Sequence, residues 1–304
     1  MSDCVVSVHG FVKRYGATTA VDRLDFELRR GEVLAILGPN GAGKTSTLEC
    51  VEGLRRPDGG AIEVLGLDPV RGSRRLMRRV GVQLQAQGLP PAMTVRESLG
   101  FFARYRGMEP SLALAERLGL GPKLGDQVGN LSTGQQRRLA LALAAQGSPE
   151  LVVLDEPTAG LDVETRDELH ALVAELRAAG TTVLLATHDM AEAEKLADRA
   201  LVLVAGRLAA EGSPRELTAG GAGRTRIVLS SAAGSLAASA PDFPGAERLP
   251  AEEDYAVYLA ARPGPVLREI LAWLDARGDE ILDLRVERPS LEERFLEIVR
   301  RRSA

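Results

Sequence analysis

Residues Gly38, Pro39, Asn40, Gly41, Ala42, Gly43, Lys44 and Thr45 place glycines, a lysine and a hydroxyl at the spacing G-x-x-x-x-G-K-[ST]. Glycines there let successive backbone N–H groups turn inward, and a following helix N-terminus adds partial positive charge. The result is a cradle for a phosphate. Lys44 puts a point charge on the outer phosphates, and the Thr45 hydroxyl can ligate Mg2+. Only four of the 304 residues are lysine, so a chance lysine at this position is hard to credit. The segment through Ser46 reads as a nucleoside-triphosphate site.

Two further polar groups stand at the ends of apolar runs. LVVLDEP (151–157) closes on two acids. Asp155 matches the carboxylate that holds Mg2+ in phosphate-loop enzymes. Glu156 beside it is suited to orient and deprotonate an attacking water, the bland alternative being an N-cap or ion pair near Pro157. His188 closes TTVLLATHD (181–189), and the topology brings it beside Asp155 and Glu156, ready to hydrogen-bond a terminal phosphate or the water. His9 and His170 carry no such pattern, and no His/Cys cluster has the spacing of a zinc site.

These groups need strands and helices to aim them. GEVLAIL (31–37) is a buried strand, and a helix begins at Gly43 and runs through Val51. Cys4–Val8 and Leu24–Leu28 read as strands around a loop at Phe11–Gly16. Ala61–Leu65 and Val80–Leu84 are short strands. Thr94-Val-Arg-Glu97 is a capping box opening a helix to about Arg106. Helical pattern returns at Leu112–Leu118, Thr133–Ala145 and Val163–Ala179. Continuous apolar strands alternating with helices predict an α/β fold with a parallel sheet covered on both faces, whose ligands sit at the carboxyl ends of the strands. From Ser213 the composition shifts, and residues 218–240 read as an Ala/Gly/Ser-rich linker and a weakly patterned segment. Strands at Tyr255–Ala260 and Ile281–Val286, with helices at Val266–Ala276 and Leu291–Arg300, then form a small α/β appendage. The expected domains are 1–217 and 218–304.

Leu131-Ser-Thr-Gly-Gln-Gln-Arg-Arg138 resembles the signature LSGGQ of ABC ATPases, and it stands shortly before LVVLDEPT. An N-cap is the simpler role for Ser132. The resemblance instead implies that Ser132, Gly134 and Gln135 meet a nucleotide phosphate. It extends to Tyr15, similar to the aromatic that stacks on adenine, and to Gln85, similar to the glutamine that touches Mg2+ and relays to a membrane partner. Ala159-Gly-Leu-Asp162 resembles the D-loop and His188 the switch histidine. Thr45, Gln85 and Asp155 are then the metal ligands. The resemblance covers residues 5 to about 217 and implies a parallel core with an antiparallel β part and a helical signature subdomain. Thr133 departs from the pattern by replacing the first glycine. Arg288-Pro-Ser-Leu-Glu-Glu-Arg-Phe-Leu296 resembles the closing segment of exporter ATPases of the daunorubicin-resistance type. It reads as an amphipathic helix with Leu291, Phe295, Leu296 and Val299 on one side.

Composition sets the outer bounds. With 38 basic against 42 acidic residues and a net charge of −4, the chain has no field to hold a polyanion, which excludes nucleic acid as a main partner. Apolar runs such as Leu139–Ala145 fall far short of the ~20 residues a membrane span needs. No leader is read at the start, and two cysteines fit a reducing cytosol. The implied protein is an ATP hydrolase with Mg2+, a head-to-tail homodimer, powering export by a separate membrane permease from the inner face of the membrane. The contact with that permease is expected between Gln85 and Leu131, where Phe101, Phe102 and Tyr105 cluster. A soluble ABC ATPase acting in translation, assembly or regulation is the alternative.

Overall fold

In a computed structural model, residues 3–83, 88–219, 224–239, 241–252, 254–287 and 290–303 are described. The chain divides into two compact units, 1–214 and 215–304.

The first unit begins with two twelve-residue antiparallel strands, β1 (Cys4–Tyr15) and β2 (Thr18–Arg29). The expected loop at Phe11–Gly16 is therefore strand as far as Tyr15. Gly10, at φ 56°, absorbs a bulge in the ladder, so pairing resumes beyond it with Phe11 fully buried. A five-residue strand, β3 (Val33–Leu37), is buried at every position and leads through the glycine loop into α1 (Lys44–Val51). β4 (Gly59–Val64) returns to pair with β1. A short α2 (Ser73–Leu76) precedes β5 (Val80–Gln83).

Three helices follow, α3 (Val95–Arg106), α4 (Leu112–Arg117) and α5 (Thr133–Ala145). Thr94 caps α3 with the capping box read from the sequence. The chain then alternates β6 (Leu151–Asp155), α6 (Val163–Ala178), β7 (Thr182–Thr187) and α7 (Met190–Leu196). It closes on β8 (Arg199–Val204) and β9 (Arg207–Gly212). The main sheet has the order β5-β6-β7-β3-β8-β9 and is parallel except for the edge strand β9.

Each face of this sheet is covered. Leu34, Ile36, Val153 and Leu184 point into a core shared with the antiparallel sheet β2-β1-β4 and α1. Val33, Val152, Leu154 and Leu185 point the other way, against side chains of α3, α5 and α6. Burial on both faces is why these strands read as unbroken apolar runs. It also confines polar chemistry to the strand tips.

The second unit carries α8 (Pro214–Ala219), β10 (Thr225–Ser231), α9 (Ser235–Ser239), β11 (Ala246–Glu252) and β12 (Tyr255–Ala260). It continues with α10 (Pro263–Asp275), β13 (Ile281–Glu287) and α11 (Leu291–Ser303). Its antiparallel sheet has the order β11-β12-β10-β13. The stretch 218–240, expected as a linker and a weakly patterned segment, holds a central strand and a helix over 225–239. Ile227, Val228 and Leu229 are consecutive and all buried, so β10 shows neither alternation nor length amid its Ala, Gly and Ser neighbours. On α11 the buried positions are Leu291 and Ile298, while Leu296 is exposed. That corrects the expected stripe.

Candidate active site

The glycine loop joins the tip of β3 to α1 by a path only glycine allows at two points. Gly43 has φ 99°, and a Cβ there would stand 2.6 Å from the Ala20 carbonyl oxygen. A Cβ on Gly38 would stand 2.6 Å from the Leu203 carbonyl oxygen. The loop is thereby pinned between β2 and β8. It encloses a cavity of about 580 Å3 lined by Tyr15, Asn40, Gly41, Ala42, Gly43, Lys44, Thr45, Ser46 and Glu156. Thr18, Thr19, Ala20 and Ala205 complete the wall; no motif in the sequence singles these four out.

Lys44 is 5% exposed and curls back so that its ammonium donates to the carbonyl oxygens of Gly38 at 2.7 Å and Pro39 at 3.3 Å. Burial pulls its pKa below the usual lysine range, opposed by Glu156 and Asp155. Asp155, at the tip of β6, is pushed above the usual carboxylate range by burial, with a hydrogen bond from Thr45 opposing. One of its oxygens, Oδ1, is buried with no partner. A buried carboxylate oxygen beside a hydroxyl is a hard-oxygen donor set of the kind Mg2+ takes, so these two residues fit that ion. Among the described residues no cluster of three or more His, Cys, Asp and Glu side chains is arranged around a metal.

Glu156 lies where the strand tips meet. Its Oε1 is 3.7 Å from the Lys44 ammonium and 3.2 Å from His188 Nδ1. Its backbone is left-handed at φ 47°, held by its N–H donating to the Ala186 carbonyl and by Arg137 donating to its own carbonyl. His188, beyond β7, is exposed. With Glu156, Thr158, Gly160 and Thr187 it lines a small cavity of about 120 Å3, the size for water beside the larger one. Tyr15 stands at the rim, its hydroxyl 3.3 Å from Ser46 Oγ, with Lys13 and Arg55 within 5.4 Å of its ring centroid.

The remaining residues singled out from the sequence lie elsewhere. Ser132 caps α5, accepting from the Gln135 N–H at 3.3 Å while Gln135 Oε1 accepts from the Ser132 N–H at 3.0 Å. Asp162 caps α6, accepting from the Thr165 N–H at 2.8 Å. Neither these residues nor Gly134 lines the cavity at the glycine loop. Gln85 lies outside the described residues. Sequence reasoning missed Arg137, whose only signal is that it follows the LSTGQ segment.

A family described as ABC transporter matches residues 21–159, and one described as AAA domain, putative AbiEii toxin, Type IV TA system matches residues 126–194. The chain is 37% identical over 306 residues to the daunorubicin resistance ATP-binding protein DrrA3 of Streptomyces coeruleorubidus, covering 98% of this chain and 96% of that protein. The chain belongs to the ABC transporter ATP-binding family. It is 43% identical over 223 residues to a Nod factor export ATP-binding protein I of Burkholderia orbicola, covering 71% of this chain and 73% of that one. A solved ATP-binding subunit of an ABC transporter is 28% identical, with a TM-score of 0.66 over 70% of this chain and 91% of that one. A dimeric bacterial ABC transporter cassette shares the fold at 24% identity and a TM-score of 0.63, over 68% of this chain and 98% of that one. This chain binds and hydrolyses ATP as an ATPase subunit of an ABC exporter. Subunits of this family work with membrane permeases. Among the described residues no helix is long and apolar enough to cross a membrane.

Proposed function

We propose that the chain powers export of drugs, antibiotics or similar amphipathic molecules through a permease on a separate chain, lying at the inner face of the membrane by virtue of that contact. DrrA3 by its name concerns resistance to daunorubicin, and its likeness over nearly the whole chain supports this cargo class. Two copies face head to tail, each ATP held by the glycine loop of one and the Ser132–Gln135 segment of the other. That Ser132, Gly134, Gln135 and Asp162 do not line the cavity within one chain supports that reading, since a two-fold pair brings a patch to the partner's loop.

Thr45, Asp155 and Gln85 would hold Mg2+, which neutralises phosphate charge as it develops. Residues 38–46 cradle the phosphates with backbone N–H groups, Lys44 turns its ammonium from the Gly38 carbonyl to the terminal phosphate, and Tyr15 stacks on the base. Glu156 takes the proton of the attacking water, and His188 fixes the Glu156 carboxylate and bonds the terminal phosphate. The permease docks in an apolar groove of about 360 Å3 lined by Leu54, Leu76, Met77, Leu89, Phe102 and Tyr105.

The observation that carries the proposal is the meeting of Lys44 and His188 on the Glu156 carboxylate. Glu156→Gln should leave ATP binding intact, lower kcat by about 100-fold or more, and accumulate an ATP-bound dimer in size-exclusion chromatography. An unchanged kcat would remove Glu156 as the base.

A further inference from the structure

Among the described residues β13 is an edge of the second unit's sheet, bonded to β10 and to no other strand. Leu282, Leu284 and Val286 on it are 70%, 40% and 47% exposed. Leu284 and Val286 do not belong to a solvent face, while Leu282 sits in a bulge, where Asp283 stands opposite Ser230 and Ile281 opposite Ser231. Leu284 stands opposite Leu229, and Val286 opposite Ile227; both partners are buried in the core with Val266 and Ile270 of α10. Directly opposite residues share a face of the sheet. The unit's core layer therefore runs on to the edge strand and ends there uncovered. Its charges, Asp283, Arg285 and Glu287, alternate on the other face, so neither an inward charge nor a proline protects the edge.

An apolar edge of this kind receives a strand, and β13 is complementary to itself. In a two-fold antiparallel pair, opposite residues share a face, so the axis passes through a residue rather than between two. With Leu284 on the axis, the pairing runs from Ile281 to Glu287 and includes the bulge at Leu282. Asp283 then meets Arg285 of the second copy, and Leu282 meets its Val286, each pair occurring twice. Centring on Asp283 or Arg285 sets that residue against its own like charge. Centring on Leu282 or Val286 leaves only three residues of the strand overlapped.

We propose that the second unit is a self-association surface, β13 of one copy pairing antiparallel with β13 of another about Leu284. The contact is separate from the ATP site, whose residues all lie in the first unit, and it needs no nucleotide. One strand pair is a small interface, and its effect is to raise the effective concentration of one cassette near its partner.

The test uses the full chain with Cys4→Ser, without nucleotide, under mild oxidation and read on non-reducing gels. Leu284→Cys should give a disulfide-linked dimer, and so should Leu282→Cys combined with Val286→Cys. Leu282→Cys alone should stay monomeric. Its two copies would stand four residues apart along the strand, about 13 Å, beyond the ~7 Å Cα separation a disulfide spans. Asp283→Arg in the Leu284→Cys chain should cut the dimer yield several-fold, and adding Arg285→Asp should restore it. A monomeric Leu284→Cys chain, or equal cross-linking of Leu282→Cys alone, overturns the proposal. Cross-linking of Leu284→Cys together with failure of Glu156→Gln to trap an ATP-bound dimer would sink the head-to-tail reading and leave this contact standing.

Discussion

Glu156 occupies a backbone region that costs a residue with a Cβ about 1–2 kcal/mol. The strain holds because β7 accepts its N–H and Arg137 binds its carbonyl. Nothing in the sequence announces that conformation, although the carboxylate itself was legible as the second acid after an apolar run. Glu52 was not legible at all. It ends α1 with both carboxylate oxygens buried and unpartnered. Burial, with Asp155 and Glu49 adding repulsion, raises its pKa to about 8. The folded chain therefore holds a proton on Glu52 that the unfolded chain, near 4.5, has released. Stability contributed by that proton is present below the unfolded pKa and is lost as pH rises toward 8. Between pH 6 and pH 9 the wild type should lose about 2–3 kcal/mol more than Glu52→Gln in urea unfolding. Parallel pH profiles for the two chains would show that Glu52 finds a partner when ionised.

At the scale of elements, Ser132 and Thr94 make the same local device. Each is an N-cap in a capping box, with Gln135 or Glu97 reaching back, and loss of either hydroxyl should cost about 1 kcal/mol of stability. They differ in what else they face. Thr94→Ala should lower the unfolding midpoint and leave ATP turnover per folded molecule unchanged. Ser132→Ala should lower it equally and, if the proposed head-to-tail pair forms, also slow turnover at least tenfold, because the nucleotide of the partner copy loses a donor. Equal turnover in both variants would reduce Ser132 to its cap. Local rules of this kind explain what the sequence could and could not say. The capping box at Thr94, the glycine loop and the doubly buried strands β3, β6 and β7 follow from local rules, and each was read within a few residues of its bounds, whereas at Ser132 the sequence showed only the cap and not the return bond from Gln135. α7, β8 and β9 were not. The β8–β9 hairpin turns through Ala205 and Gly206, both left-handed at φ 49° and 76°, a geometry that an Asn-Gly pair signals and Ala-Gly does not. β10 escaped because its three buried apolar residues sit in an Ala/Gly/Ser-rich stretch, and β11 because Ala246–Glu252 shows no apolar alternation.

Across the whole molecule, the question is which activities belong to the first unit alone. Its two core layers draw on strands and helices before residue 214. Every described residue placed at the ATP site lies there as well. The second unit has its own core around Tyr258, with Phe243 and Trp273 packed edge-on in series. Asp279 fastens one end of that unit. Its carboxylate accepts from the Ser235 hydroxyl, from the Ala233 N–H at 2.8 Å and from Ser231 Oγ at 2.7 Å, and these bonds, Ser235's foremost, hold its pKa down to about 2. Separate cores imply separate folding. A chain ending at Pro214 should therefore unfold cooperatively and bind ATP within about threefold of the full chain, measured by nucleotide titration. Its ATPase rate should fall more steeply on dilution than that of the full chain, because the proposed head-to-tail pair then relies on the nucleotide sandwich alone. Loss of ATP binding on truncation would show that the second unit supports the fold of the first. An unchanged dilution curve would show that it adds nothing to pairing.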